Sequence, residues 1–347
     1  MRVIYARNVN DALLKGLDLF KHEINYYVQE SRNGVTYEAK EPITTVYLKP
    51  WERVCLIEAR DANPFFHFIE SLWMLAGRKD LAPLTYFVKS MADFSDDGET
   101  LWGAYGWRWQ SYFNKDQLSI IIEMLKKSPD DRRCVLQMWD PILDLNKQGK
   151  DVPCNTNIYF KIREDKLNMT VCCRSNDMLW GAYGANVVHM SVLQEYMATM
   201  IGVEMGEYRQ VSDSFHVYTE MPVWDKVKDL KIDPYNYTVY SNPYDNLHDD
   251  GYQQTSLITD PLRFHWELDR FFNIHPNDMD QQGWENPAFK DIVVPLTITY
   301  SKHKNKDSSV YEALNNIKPM DWKTACFDWI RKRDRSYNKA EKGEPHE

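Results

Sequence analysis

The residue in this sequence best suited to covalent chemistry is a cysteine. In VPCNTNIYF (152–160), Cys154 directly follows a proline and opens a run of β-forming residues. Proline fixes the local backbone, so the sulfur is held in one place near the end of a sheet. A lone cysteine more simply packs as a small hydrophobe, and its neighbours decide the matter. The strand-like LNMTVCC (167–173) runs directly into Arg174, Ser175, Asn176 and Asp177. A guanidinium beside a thiol favours the thiolate and can grip a phosphate with two parallel hydrogen bonds. The alternative, a solvated turn, fits poorly with the apolar residues on either side.

Further arginines suit an anionic ligand. Arg132 and Arg133 adjoin in PDDRRCVLQMW, where two neighbouring guanidinium groups need compensating anions, and Arg32 sits in the turn-like ESRNGVT. Each alone reads as a surface residue; together they suggest a phosphate site. Glu70 has Phe66, Trp73 and Met74 as its i−4, i+3 and i+4 neighbours, which puts its carboxylate on an apolar helix face or at the rim of one. On the face, it would suit proton transfer near neutral pH. His216 and Tyr218, in DSFHVYTE, offer hydrogen-bonding groups for a sugar hydroxyl.

Regular elements must position these groups. The pattern predicts a helix over 10–29, extended structure over 43–60, and a helix over 63–76 capped by Asn63, with Pro64 in its first turn and Gly77 at its end. Strands are predicted at 133–139, 157–163 and 167–173, the last two joined at Glu164–Asp165 and therefore neighbours in one sheet. Residues 186–201 are apolar on nearly every face, which predicts a buried helix. Strands are expected again at 207–212 and 292–300. After Tyr300 the composition turns charged, with a helix predicted at 319–334 and disorder in the last ten residues. Residues 301–347 thus read as a charged, partly helical extension appended to a core domain over 1–300.

Composition narrows the classes. A chain of 347 residues, 43% of them hydrophobic, can bury a large core. A formal charge of −9 argues against broad binding of nucleic acid, so any anionic ligand is a small one held by local arginines. No apolar run approaches the roughly 20 residues that span a bilayer, and the start MRVIYARNVNDALL lacks a signal-peptide pattern. The expectation is a cytoplasmic protein without a membrane partner. The six cysteines show no CxxC spacing, which predicts reduced thiols and no metal site.

The motifs FIESLWMLAG, YGWRW, PDDRR, PCN, RSND, GAN and DSFHVY, in this order, resemble those of thymidylate synthases and their relatives, the pyrimidine nucleotide hydroxymethylases, from about residue 10 to 300. The intervals from Cys154 to Arg174 and from Asn186 to His216 also match that family, with one extra residue between Gly181 and Asn186. The resemblance implies an α+β fold in which a twisted mixed β-sheet is flanked by helices and dimerises through the sheet. It implies that Cys154 attacks C6 of a pyrimidine, making C5 a carbon nucleophile towards 5,10-methylenetetrahydrofolate. Arg32 and Arg174 would bind the 5′-phosphate, supported by Ser175 and joined by Arg132 and Arg133 from the second subunit of a homodimer.

Asn186 would read the base edge, where relatives acting on cytosine carry aspartate, and His216 and Tyr218 would hold the ribose. Glu70 would relay protons and Tyr105 would help remove the C5 proton. Asp177 would bond the pterin, with Trp102 and Gly181 beside the folate. Two departures bear on the product: Asn155 stands where synthases carry histidine, and a charged tail stands where they end in a short apolar one that closes over the folate. The leading expectation is deoxyuridylate 5-hydroxymethylation. Thymidylate synthase, a deoxycytidylate hydroxymethylase and a non-catalytic nucleotide- or RNA-binding homologue are the alternatives.

Overall fold

The computed structural model describes residues 1–31, 33–230, 242–249 and 254–334. In chain order, the elements that matter here are β1 (Arg2–Ala6), α1 (Val9–Leu19), β2 (Tyr26–Ser31), β3 (Gly34–Ala39), β4 (Ile43–Tyr47), α2 (Pro64–Leu75), α3 (Gln117–Lys127), β5 (Val135–Gln137), β6 (Asn155–Arg163), β7 (Lys166–Asp177), α4 (Asn186–Ile201), β8 (Glu204–Tyr218), α5 (Pro261–Phe272), α6 (Val294–Lys304) and α7 (Met320–Arg333).

The strands form one mixed sheet in the order β1-β4-β8-β7-β6-β5, with the β2–β3 hairpin joined to the far half of β8. β1 pairs parallel with β4, and β7 with β8. The β4–β8, β6–β7 and β5–β6 pairs are antiparallel. This is the α+β architecture expected. Alternation along β6 buries Ile158, Phe160 and Ile162 on one face and leaves Tyr159 and Lys161 exposed, as a pleated strand covered on one side requires. The covering layer is led by α4, whose residues Val187–Ala198 are all buried.

Helix α2 forms as its sequence dictates. Asn63 Oδ1 accepts the Phe66 amide at 3.1 Å, Pro64 occupies the first turn, and Gly77 leaves the helix at φ +64°. The expected helix over 10–29 stops at Leu19, because Tyr26–Ser31 is drawn into the β2–β3 hairpin. The extended stretch at 43–60 is a strand only to Tyr47, followed by irregular backbone and a 3₁₀ turn at Glu58–Arg60.

The strand expected at 292–300 is a correction: the segment is helical. A π-type turn at Phe289–Val293 leads into α6. The β-branched run tolerates a helix because Thr297 and Thr299 each bond the carbonyl four residues back, at 2.8 and 2.7 Å, and because nearly the whole element is buried. Tertiary burial outweighs a propensity worth tenths of a kcal/mol per residue.

Beyond Tyr300 the chain continues into the same core. Val310, Leu314, Ile317, Trp322, Cys326 and Ile330 are all buried in it, and Trp322 packs its ring on Phe68 of α2. The predicted disorder of the last ten residues lies outside the described residues. Among the described residues, no helix is long and apolar enough to cross a membrane.

Candidate active site

The carboxyl ends of β7 and β8, the loop entering β6 and the α2 face converge on one cavity of about 770 Å³. Cys154 lines it immediately before β6. The backbone of this corner is pinned by β7: the Arg174 amide donates to the Cys154 carbonyl at 2.9 Å. The Arg174 guanidinium holds the same loop, donating to the carbonyls of Pro153 at 3.0 Å and Val152 at 3.1 Å, and its Nη2 stands 3.9 Å from the Cys154 sulfur. One arginine thus shapes the loop that carries Cys154 and places positive charge beside the thiol.

Tyr105 closes the same corner. Its hydroxyl accepts the Asn155 amide at 3.4 Å. Burial, reinforced by the sulfurs of Cys154 and Cys173, pushes its pKa well above the usual phenol value, so the group is a protonated hydrogen-bonding partner at neutral pH. Asn155 itself is fully buried and bonds Cys173, which is braced in turn by Gln210.

Glu70 lies on the apolar face of α2, 8% exposed, rather than at its rim. Its Oε2 is 2.9 Å from Nε2 of His189 on α4, a residue 3% exposed. Sequence reasoning missed His189, since nothing local marks a helix residue as the partner of a carboxylate on another helix.

Asp177 ends β7 directly beside His216 of β8 in the parallel ladder. It caps the following turn, accepting the Trp180 amide at 2.5 Å. Burial raises its carboxyl pKa, opposed by that amide, by His216 and by Arg60. The turn itself, Met178–Ala185, is a wide π-type coil with Tyr183 and Gly184 out of helical conformation. This coil accommodates the extra residue seen between Gly181 and Asn186, and Asn186 still lines the cavity. Arg60 braces the coil by donating through Nε to the Leu179 carbonyl at 2.8 Å.

Ser175, Gly181, His216 and Tyr218 also line the cavity, and the His216 and Tyr218 rings meet edge-on at 5.2 Å. The hairpin residues Ser31 and Asn33 reach it as well, with Asn33 Nδ2 3.4 Å from the Tyr218 hydroxyl. Arg32, between them, lies outside the described residues. Arg132 and Arg133 are exposed and do not line the cavity, and Arg133 pairs with Asp131. Trp102 is absent from the lining: its indole nitrogen donates to Asp144 at 2.7 Å and its ring packs against Trp107 and Tyr112.

The loop after β5 supplies lining residues with no sequence signal of their own, namely Leu145, Lys147, Lys150 and Asp151. Behind it lies a fully buried ion pair in which both Arg108 terminal nitrogens bond Asp144, at 2.6 and 2.9 Å. The six cysteines are free thiols, and among the described residues no cluster of His, Cys, Asp or Glu is arranged to hold a metal ion.

The model of the thymidylate synthase family matches residues 28–260. A deoxyuridylate hydroxymethyltransferase of Pseudomonas phage M6 is 45% identical over 342 residues, covering 96% of this chain and 95% of the relative. A protein of the same name from Bacillus phage SP01 is 41% identical over 52% of this chain and 50% of its own length. Another, from Delftia phage PhiW-14, is 31% identical over 66% and 65%.

Proposed function

The chain belongs to the thymidylate synthase family, and from that premise we propose that it is a deoxyuridylate 5-hydroxymethyltransferase. The observation that carries this reading is the convergence of Cys154, Arg174, Glu70, Asp177, Asn186 and His216 on a single cavity. The phage relatives named above support the hydroxymethyl product.

Methylenetetrahydrofolate supplies a one-carbon unit at the oxidation level of formaldehyde. The residues present fit such a co-substrate: Met91, Phe94, Leu101 and the half-exposed Trp180 give the cavity an apolar wall, and Asp177 adds a carboxyl group beside Gly181. On the nucleotide, the Cys154 thiolate adds to C6 and the electron pair moves to C5, which bonds the incoming carbon. Tyr105 and Glu70 line the cavity and would move protons about the ring, with His189 Nε2 2.9 Å from the Glu70 carboxylate. Once the C5 proton has left, the bond from the new carbon to the folate nitrogen breaks and tetrahydrofolate departs; the exocyclic methylene then takes up water, the C6–sulfur bond breaks and the thiolate is regenerated. dUMP, methylenetetrahydrofolate and one water balance hydroxymethyl-dUMP and tetrahydrofolate, with no change of oxidation state.

The reading includes a homodimer. Val3, Tyr5, Val135 and Tyr159 are exposed on the sheet face turned away from α4, where a second sheet would bury them. Arg133 is exposed just before β5 and does not line its own cavity, and in this reading it would contribute to a partner's.

Incubation with dUMP and methylenetetrahydrofolate, with both products identified, tests the proposal. Hydroxymethyl-dUMP with tetrahydrofolate supports it. dTMP with dihydrofolate would instead make the protein a thymidylate synthase, the second reading, because the same groups serve both reactions up to the methylene.

A further inference from the structure

Behind Asn186 lies a second amide that the chemistry above does not use. Asn176, on β7 opposite Phe215, is only 2% exposed yet forms part of the cavity wall. Its Oδ1 accepts from Asn186 Nδ2 at 3.1 Å. Its own Nδ2 donates to the hydroxyl of Ser212, also buried, at 3.0 Å. Gly181 closes over the junction: a Cβ there would stand 2.4 Å from Asn176 Oδ1, so a side chain at 181 would push the two amides apart.

This relay has a direction. The two ends of an amide are alike in shape and opposite in chemistry, and only hydrogen bonding decides which end is oxygen. One N–H of Asn186 is taken by Asn176, which leaves one donor and the carbonyl acceptor for a base. Uracil complements that pair with O4 and N3–H, whereas cytosine presents an amino group and a bare N3, reversing both. To read cytosine, Asn186 must turn over, which sets its oxygen against Asn176 Oδ1 at the present 3.1 Å separation. Two acceptors at that distance repel unless Asn176 turns as well and the Ser212 hydroxyl swings round.

Resting on the reading of Asn186 as the base contact, we propose that Asn176, braced by Ser212, is a specificity-determining positioning residue that locks the Asn186 amide in the uracil-reading orientation and so discriminates against cytosine nucleotides.

The test compares the full-length protein with Asn176→Ala, Ser212→Ala and Asn186→Asp in competition binding of dUMP against dCMP. Loss of one aligning hydrogen bond should narrow the dUMP:dCMP affinity ratio roughly five- to tenfold in Asn176→Ala, with a smaller shift in the same direction for Ser212→Ala. If both variants weaken the two nucleotides alike and leave the ratio unchanged, Asn176 is a structural residue only and the inference is overturned. Asn186→Asp isolates the underlying reading: failure to shift preference towards dCMP means that Asn186 does not read the base. A shift there, with an unchanged ratio in the other two, removes the Asn176 inference alone. Should Asn176→Ala not fold, Ser212→Ala, which deletes a single hydroxyl, carries the same comparison.

Discussion

Replacing Asp144 by alanine should unfold the protein far more readily, for a reason that can be worked from its contacts. The carboxylate accepts four hydrogen bonds: two from Arg108, one from the Trp102 indole and one from the Asp140 amide. Both charges are fully buried. Removing one member of such a pair strands the other, at a cost of about 3–5 kcal/mol. Arg108 would keep its bonds to the carbonyls of Met138 and Trp102 and its place over the Tyr112 ring, so the lower end, about 3 kcal/mol, applies. Urea unfolding followed by tryptophan fluorescence should show the midpoint falling with the slope unchanged. The double variant Arg108→Met/Asp144→Leu, which leaves no buried charge, should recover most of the loss. A destabilisation below about 1 kcal/mol, or a double variant no better than the single one, would refute the reasoning.

Three further outcomes follow from the site. Cys154→Ala should lower turnover by at least about a thousandfold while dUMP still binds, measured by single-turnover kinetics and equilibrium dialysis; substantial residual turnover defeats the covalent mechanism. His189→Ala removes the partner of Glu70 and should reduce kcat about ten- to a hundredfold with nucleotide affinity retained, whereas a change confined to KM argues against a part in proton movement. For Asp177→Asn the sign follows from burial, which raises the folded carboxyl pKa above its ordinary 3.8. The wild type therefore loses stability as pH climbs from that ordinary value through the raised one. The variant, which keeps an acceptor for the Trp180 amide, should melt higher than wild type at pH 7 with the advantage gone by about pH 3; an equal shift at both pH values contradicts the assignment.

What the sequence disclosed was local or spaced by motif. Helix α2 announced itself through Asn63, Pro64 and Gly77, and the β6–β7 hairpin through its alternation, because each signal lies within the element it specifies. Cys154 and Arg174 were legible together because one stands at the entry to a strand and the other near the end of the strand paired with it. The helix at 294–304 was not, since its β-branched run reads as a strand until burial on every side is known. The order of the sheet, the pairing of Glu70 with His189 and the chain from Asn186 through Asn176 to Ser212 were equally hidden. Each joins segments distant in the chain, and no residue at one end carries a mark of the other. Trp102 illustrates the converse: the resemblance put it beside the folate, but its indole turns to Asp144, which no local pattern names, and it does not line the cavity.

The last described helix has a consequence for how the molecule is made. Arg331 and Lys332 bond Glu58, and Arg333 grips Asp61 through both terminal nitrogens, on either side of the arginine that braces the coil before Asn186. Trp322, Cys326 and Ile330 fill the core behind α2. A nascent chain still anchored to the ribosome near Tyr300 therefore lacks part of the hydrophobic interior behind the helix that carries Glu70, so that helix can settle into its full packing only after residues 320–333 have emerged.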